Sequence, residues 1–140
     1  MARIKLDVPK QFPFQTEIDI RIADINYGNH MGNDALLSIL HEARIRFLQH
    51  YKCKELDMFG VSLIMSDVAI QYKSEAYHGD VLQIEMTAYD FAVTSFDLFY
   101  YITRTSDRKV IALAKTNMVC YNYTEKKMKE VPNEFLQLFA

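Results

Sequence analysis

The sequence predicts an α+β fold in which an antiparallel β-sheet is wrapped around one long central α-helix. Two observations support this prediction. Apolar residues alternate at period two in one early segment, recur at helical spacing in the next, and then alternate again through four further segments. The resulting order, one strand, one helix and four long strands, favours a single antiparallel sheet with the helix packed on one of its faces.

The bulk properties predict one soluble domain over residues 1–140. The chain has 140 residues, half of them hydrophobic, and a net charge of −2. This length suits a single core, and the charge gives no basic surface for nucleic acid. No apolar segment is long enough for a membrane span or a signal peptide, so we expect no nucleic-acid or membrane partner and a cytoplasmic location. Cys53 and Cys120 lack metal-ligand spacing, which predicts buried reduced thiols and no metal site.

The first strand and the loop after it are predicted from alternation and composition. From Thr16 to Ile22, isoleucines face one way and charged residues the other, as in a half-buried strand. The segment from Asp24 to Asn33 is rich in Asn and Gly, which favours a loop. Asn33 is a good N-cap residue, so we expect the loop to lead directly into a helix.

The helix is predicted from Asp34 to about Tyr51. Its apolar positions recur every three or four residues, which gives one buried stripe. The members of that stripe are Leu36, Ile39, Leu40, Ala43, Phe47 and Tyr51.

Four strands are predicted after the helix. The first two, around Val68–Tyr72 and Leu82–Ala88, flank a turn at His78–Asp80, which favours a hairpin. An aromatic strand over Phe96–Ile102 follows, and a turn leads to a last strand over Val110–Tyr123.

Two further features are expected of the rest of the chain. The tail from Pro132 to Phe139 is predicted to be a short helix with Pro in its first turn. Phe99, Tyr101 and Tyr121 fall on the sheet face opposite the helix. An exposed apolar face of this kind usually marks an interface, so we expect a homodimer or homotetramer.

Several motifs resemble those of a known family. The loop reads Asp24-Ile25-Asn26-Tyr27-Gly28-Asn29-His30-Met31-Gly32-Asn33, the helix contains Glu42-Ala43-Arg44, and Ile70-Gln71-Tyr72 precedes Gly79-Asp80. These segments, with Val131-Pro132, resemble the hot-dog-fold thioesterase superfamily of the 4-hydroxybenzoyl-CoA and acyl-CoA thioesterase type. The resemblance implies the hot-dog fold and hydrolysis of an acyl-CoA or acyl carrier protein thioester, with the thioester as substrate and no other cofactor.

The sequence departs from that family at four positions. Asn26 stands where many members of this branch have the catalytic carboxylate, and an amide has no titrating proton with which to act as a general base. Gly32, Leu36 and Glu75 replace an Asn, an aromatic residue and a Pro. The family mechanism therefore does not transfer unchanged.

Candidate bases are His30 and Glu42. In the preferred hypothesis Asn26 holds the attacking water through its amide and His30 takes the proton, because only His has an unperturbed pKa near neutrality. Glu42 lies in the family's helix segment, but Arg46 four residues later favours a surface ion pair equally. Asp24 is a further candidate that could simply orient the loop through backbone bonds.

The start of the helix is the predicted oxyanion site. Free N–H groups near Gly32, Asn33 and Asp34 would carry the positive end of the helix dipole and polarise a thioester carbonyl. The alternative is that Asn33 only caps the helix and that Gly28 and Gly32 only permit the turn.

Two other functions remain open. Asp24-x-Asn26 followed by His30 is similar to the motif of hot-dog hydratases, which suggests an enoyl-CoA hydratase-like enzyme. The missing carboxylate also allows a non-catalytic acyl-CoA-binding protein, since fold alone does not decide function.

Overall fold

The computed structural model describes residues 3–140 and has the predicted α+β composition. Its strands are β1 (Phe14–Asp19), β2 (Ser62–Tyr72), β3 (Val81–Tyr89), β4 (Ser95–Arg104), β5 (Val110–Asn122) and β6 (Lys127–Met128). Its helices are α1 (Asn33–His50) and α2 (Asn133–Leu138), and Ile22–Asp24 forms one 3₁₀ turn.

All strand pairs in the sheet are antiparallel, and the order is β1-β3-β4-β5-β2 with β6 added to β5. The inward-facing residues of the central strands are fully buried between the sheet and α1. On β4 these residues are Phe96, Leu98, Tyr100 and Ile102. The predicted antiparallel sheet around one long helix is therefore confirmed.

The predicted hairpin between the two strands after α1 is wrong. β2 pairs with β5, whereas β3 pairs with β1 and β4. Residues 73–80 carry the chain across the end of the sheet, held by bonds from Lys73 N–H to Ile111 O at 2.8 Å and from Gly79 N–H to Ile20 O at 3.0 Å. Alternation identifies a strand but not its partner, and this connection is longer than a tight hairpin loop.

α1 has the predicted buried stripe but a different N-cap. Leu36, Ile39, Leu40, Ala43 and Phe47 are all buried. The helix begins at Asn33, and the N-cap is Gly32, which has extended backbone angles and makes no side-chain capping bond. The shift by one residue follows from the loop, which fixes the backbone of Gly32 by a hydrogen bond to Asp24 O.

The first strand is displaced toward the N-terminus relative to its prediction. β1 ends at Asp19, and the chain turns through Ile22–Asp24. The turn is stabilised by Arg21 N–H, which donates to Asp24 Oδ2 at 2.9 Å. Asp24 is therefore buried in a turn after the strand, because its carboxylate caps the turn.

The outer face of the sheet is partly covered by the chain's own N-terminal segment. Leu6 N–H donates to Gln71 Oε1 at 3.1 Å, and the ring of Phe12 lies 6.0 Å from Phe99 and 5.7 Å from Tyr101. Phe99 is fully buried as a result. Its predicted exposure is wrong because the residues before β1 cover this part of the sheet.

An aromatic cluster closes the end of the core beyond α1. Phe47 of α1 contacts Phe14 of β1, Tyr51 and Phe139, with ring centroids 5.1–5.9 Å apart. Phe135 of α2 lies 4.7 Å from Phe96 of β4. The C-terminal helix therefore packs onto the same core as α1 and the sheet.

Cys53 and Cys120 are buried free thiols, and burial raises the pKa of Cys120 to about 11. Neither described helix has the length and hydropathy needed to cross a lipid bilayer.

Replacing Phe47 by Ala tests the role of α1 in the core. The substitution removes a fully buried ring from the cluster and leaves a cavity, so the free energy of unfolding should fall by about 3–5 kcal/mol. Urea denaturation of the purified variant measures the change. Leu37→Ala, on the exposed face of the same helix, is the control and should cost less than about 1 kcal/mol. Equal losses in the two variants would contradict this packing.

Candidate functional site

The start of α1 is held by two backbone hydrogen bonds from the preceding loop. Met31 N–H donates to Ala76 O at 2.7 Å, and Gly32 N–H donates to Asp24 O at 3.0 Å. Within the loop, Asn26 N–H donates to His30 O at 3.0 Å. The predicted loop is thus closed on itself and tied to the segment after β2, which fixes its side chains relative to the helix.

The backbone bonds of the loop place His30 with a defined tautomer. Its Nδ1 lies 3.0 Å from Met31 O. A carbonyl oxygen only accepts, so Nδ1 carries a proton, and in the neutral imidazole Nε2 keeps its lone pair. His30 lines a groove of about 260 Å³ beside the start of α1. The other lining residues are Met31, Asn33, Tyr72, Lys73, Ser74, Glu75 and Ala76.

Asn26 lies in the same loop as His30, where it forms an Asx turn. Its Oδ1 accepts from Gly28 N–H at 2.9 Å, which identifies the oxygen and leaves the Nδ2 group as a donor. A β-carbon on Gly28 would lie 3.2 Å from Asn26 Oδ1 and 3.4 Å from His30 Nε2. The glycine therefore gives the two side chains the room to approach each other.

Two of the three predicted oxyanion donors are available at the helix start. Gly32 N–H is occupied by Asp24 O. The N–H groups of Asn33 and Asp34 have no acceptor within residues 3–140, as is usual in the first turn of a helix. The carboxylate of Asp34 folds back, so that a β-carbon on Gly32 would lie 2.6 Å from Asp34 Oδ1.

Glu42 and Asp24 do not share the groove of His30. Glu42 Oε2 accepts from Arg46 Nε at 2.9 Å, and its side chain is 54% exposed. Arg46 also donates to Thr16 Oγ1 and Glu17 O, which ties α1 to β1. Glu42 and Asp24 line a separate, larger groove of about 450 Å³ on that side of the helix. That groove is walled by ion pairs, so its size alone does not mark it as the site.

Sequence reasoning missed the contribution of the segment after β2. Tyr72 donates its hydroxyl proton to Asn33 O at 2.8 Å, and Glu75 Oε2 accepts from Tyr77 OH at 3.0 Å. Burial and the nearby Asp34 raise the pKa of Tyr72, so its phenol stays protonated at neutral pH. Tyr72 belonged to a recognised motif, but nothing in the sequence shows that this strand end meets the start of α1.

A family model described as the thioesterase-like superfamily matches residues 20–139. The chain belongs to this superfamily. No curated protein matches the sequence.

Solved structures similar to this thioesterase-like protein identify its fold as the hot-dog fold. A 1,4-dihydroxy-2-naphthoyl-CoA thioesterase from Synechocystis is 22% identical, with 89% of this chain and 92% of that chain covered and a TM-score of 0.79. A Staphylococcus aureus protein solved in complex with CoA is 20% identical, with 95% and 84% covered and a TM-score of 0.78. The Pseudomonas aeruginosa protein PA2801 is 18% identical, with 93% and 100% covered and a TM-score of 0.84.

A buried polar network lies deeper along α1 of this thioesterase-like protein. Arg44 donates from Nε to Glu55 Oε2 at 3.0 Å and from Nη1 to Tyr100 OH at 3.2 Å. Tyr100 OH lies 2.9 Å from Thr116 Oγ1, and His41 Nε2 lies 2.8 Å from Glu55 Oε1. The network runs from the helix surface to the centre of the sheet.

The network changes the titration of its members. Burial raises the pKa of Glu55, but hydrogen bonds from His41 and Arg44 outweigh burial and hold it below its usual value. Burial raises the pKa of Tyr100, so its hydroxyl stays protonated. Burial lowers the pKa of Arg44, but Tyr100 and Glu55 outweigh this effect and Arg44 stays charged. Among residues 3–140, no group of three His, Cys, Asp or Glu side chains is placed to hold a metal ion.

Replacing Glu55 by Gln tests the energetic weight of this network. Arg44 would lose its charged partner, so the free energy of unfolding at pH 7 should fall by about 1–3 kcal/mol. The pKa of Glu55 is lower in the folded state than its unfolded value of about 4.3, so its ionised carboxylate stabilises the fold above about pH 4.3. This stabilisation is lost as the pH falls through the folded pKa. The difference in free energy of unfolding between wild type and Glu55→Gln, measured by urea denaturation, should therefore become smaller at acidic pH.

Glu42→Gln is the control for this measurement. It removes an exposed pair within one helix and should cost no more than about 0.5 kcal/mol at pH 7. If the free energy of unfolding of Glu55→Gln differs from that of wild type by the same amount at neutral and acidic pH, the lowered pKa of Glu55 is contradicted.

Proposed function

We propose that the protein is a thioesterase that hydrolyses an acyl-CoA to the free acid and CoA. One observation carries this proposal. His30, whose Nδ1 donates to Met31 O, lines the same groove as Asn33, where α1 begins with N–H groups that have no acceptor within residues 3–140. A base and a set of oxyanion donors beside one groove are the two elements that thioester hydrolysis requires.

In the proposed reaction the thioester carbonyl oxygen accepts from the N–H groups of Asn33 and Asp34. His30 Nε2 removes a proton from water as the water oxygen attacks the carbonyl carbon. The carbon–sulfur bond then breaks, and the proton on His30 passes to the departing thiolate. The products are the carboxylic acid and the thiol, and His30 returns to its starting state.

Asn26 has a positioning role in this proposal. Its Oδ1 accepts from Gly28 N–H, whereas its Nδ2 has no acceptor within residues 3–140 and can hold a water by donating to the water oxygen. That arrangement leaves the water protons for His30. It also explains how the chain can lack a carboxylate at this position, since the base lies elsewhere in the loop.

CoA is the proposed carrier of the acyl group, rather than an acyl carrier protein. The similar proteins from Synechocystis and Staphylococcus aureus are described as a CoA-thioester hydrolase and as a CoA complex. In this chain Lys73 lines the groove of His30, where an ammonium group can pair with a cofactor phosphate.

The free edge of β2 supports a homodimer. β2 is eleven residues long and pairs only with β5 within the described residues. Met65, Val68 and Tyr72 are exposed on it. A long unpaired apolar edge is a template for a second strand, and a second copy that pairs antiparallel to β2 would satisfy it. Sedimentation velocity should give twice the chain mass, and a monomer at micromolar concentration would contradict this proposal.

Free-thiol release from a panel of acyl-CoA substrates tests the proposed activity. His30→Gln, which removes the base but keeps a polar side chain, should lower kcat by about 10²–10⁴-fold. Glu42→Gln is the matched control and should keep most of the activity, because Glu42 lies in a different groove. The reverse result, loss with Glu42→Gln and retention with His30→Gln, would transfer the base to Glu42.

Asn26→Asp tests the positioning role separately. An ionised carboxylate cannot donate to the water oxygen, but it can accept one of the water protons, and the proposed base is His30. Turnover is therefore expected to stay within about tenfold of wild type. Asn26→Ala should lose more activity than Asn26→Asp. Full turnover in Asn26→Ala would remove Asn26 from the site.

A non-catalytic acyl-CoA-binding protein is the second candidate, favoured by the amide at Asn26. Acyl-CoA that raises the melting temperature without thiol release would support it, since a ligand of the native state stabilises by mass action. Loss of the conjugated absorbance of an enoyl-CoA would instead indicate a hydratase.

A further inference from the structure

A second groove lies further along α1 than the groove of His30 and has a polar floor. Its volume is about 230 Å³, and it lies between α1 and the inner face of β2 and β5. The lining residues are Leu37, Ser38, Leu40, His41, Arg44, Met65 and Thr116. Asn33, Leu37, Leu40 and Arg44 follow one another at helical spacing, so the two grooves lie along the same face of the helix.

Arg44 presents an unused donor at the floor of this groove. Its side chain is only 9% exposed, and Nε and Nη1 are engaged by Glu55 and Tyr100. Nη2 donates to no acceptor within residues 3–140, yet no fully buried side-chain atom in this range lacks a partner. Nη2 is therefore reachable from the groove. A guanidinium has no acceptor, so the floor offers only a donor here.

Thr116 supplies a second donor. Arg44 cannot accept, so Tyr100 OH must accept from Arg44 and direct its own proton to Thr116 Oγ1. The hydroxyl proton of Thr116 is then left for another acceptor. Two donors at the floor of the groove favour an oxygen acceptor over a methyl group.

The distance from the reaction site suits the far end of an acyl group. Arg44 lies eleven residues after Asn33, which is about 16 Å along the helix axis. Helical side chains lean toward the N-terminus, so the guanidinium lies closer to Asn33 than its Cα does. Leu37, Leu40 and Met65 give the groove apolar walls that would contact the middle of the chain.

We propose that this groove binds the distal end of the acyl group through an oxygen acceptor. The preferred substrates are then acyl-CoA thioesters that end in a carboxylate or a hydroxyl, rather than in a methyl group. The inference rests on the proposed thioesterase function, and it assigns Arg44 and Thr116 as specificity-determining residues. Arg44 and Glu55 together are neutral, so the groove favours the acceptor by hydrogen bonding rather than by net charge.

The test compares acyl-CoA substrates of equal chain length. Suberoyl-CoA and 8-hydroxyoctanoyl-CoA each differ from octanoyl-CoA at the terminal carbon. The kcat/KM of the wild type should be at least about tenfold higher for one or both oxygen-terminated substrates than for octanoyl-CoA, as expected for a hydrogen bond to a charged donor. Preference for suberoyl-CoA alone would assign the groove to a carboxylate, and equal preference would assign it to a neutral acceptor.

Variants connect this preference to the floor of the groove. Arg44→Met should reduce the ratio of kcat/KM for the oxygen-terminated substrate to kcat/KM for octanoyl-CoA to about one. Arg46→Met is the matched control on the same helix, two residues away and bonded on the β1 side, and should leave the ratio unchanged. Equal ratios in wild type and Arg44→Met would overturn the inference.

Two substitutions at Thr116 keep the test decisive if Arg44→Met fails to fold. Thr116→Ser keeps the hydroxyl donor and should keep the preference. Thr116→Val removes the hydroxyl donor and should reduce the ratio of kcat/KM values several-fold. A ratio that is unchanged in Thr116→Val would overturn the role of this residue.

The two proposals fail in different ways. Hydrolysis of octanoyl-CoA with no preference for an oxygen terminus would overturn the groove and leave the thioesterase standing. Absence of hydrolysis with every substrate would overturn the thioesterase. Calorimetric affinities of the same three ligands would then replace kcat/KM, and equal affinities would overturn the groove as well.

Discussion

The hydrogen bonds that close the loop before α1 are the constraint on which the site depends. The bond from Gly32 N–H to Asp24 O sets where the helix begins, and the bond from Met31 N–H to Ala76 O ties the loop to the segment after β2. The same segment leaves Met31 O in reach of His30 Nδ1. The position of the helix N–H groups and the tautomer of the imidazole therefore follow from one piece of backbone, which is pre-organised before any ligand arrives.

The three sides of α1 explain how one helix serves both core and site. One side fills the core, with Phe47 against the aromatic cluster and α2. A second side carries Arg46, which ties the helix to β1 through exposed contacts. The third carries Arg44, whose buried network with Glu55 reaches the sheet. Two arginines only two residues apart thus have different surroundings, because helical geometry turns them to opposite sides of α1.

Local patterns predicted the elements, whereas contacts distant in sequence were not predictable. The stripe from Leu36 to Phe47 and the alternation on β4 are local periodicities, and both matched the structure. The partner of β2 and the covering of Phe99 by Phe12 depend on tertiary packing, which alternation does not encode. At the site, the sequence suggested His30, Asn33 and Glu42 together; the structure puts the first two in one groove and Glu42 in another.

The tautomer of His30 is the most direct measurement, because the proposed base and the start of α1 depend on the same loop. Long-range ¹H–¹⁵N correlation spectra of the ¹⁵N-labelled protein, recorded above the ordinary His pKa of about 6.5, distinguish the two neutral forms. The spectrum of His30→Gln assigns the signal among the four histidines. The account predicts a proton on Nδ1 and a bare Nε2. A proton on Nε2 in the neutral ring would contradict it, since Nε2 would then have no lone pair with which to take a proton from water.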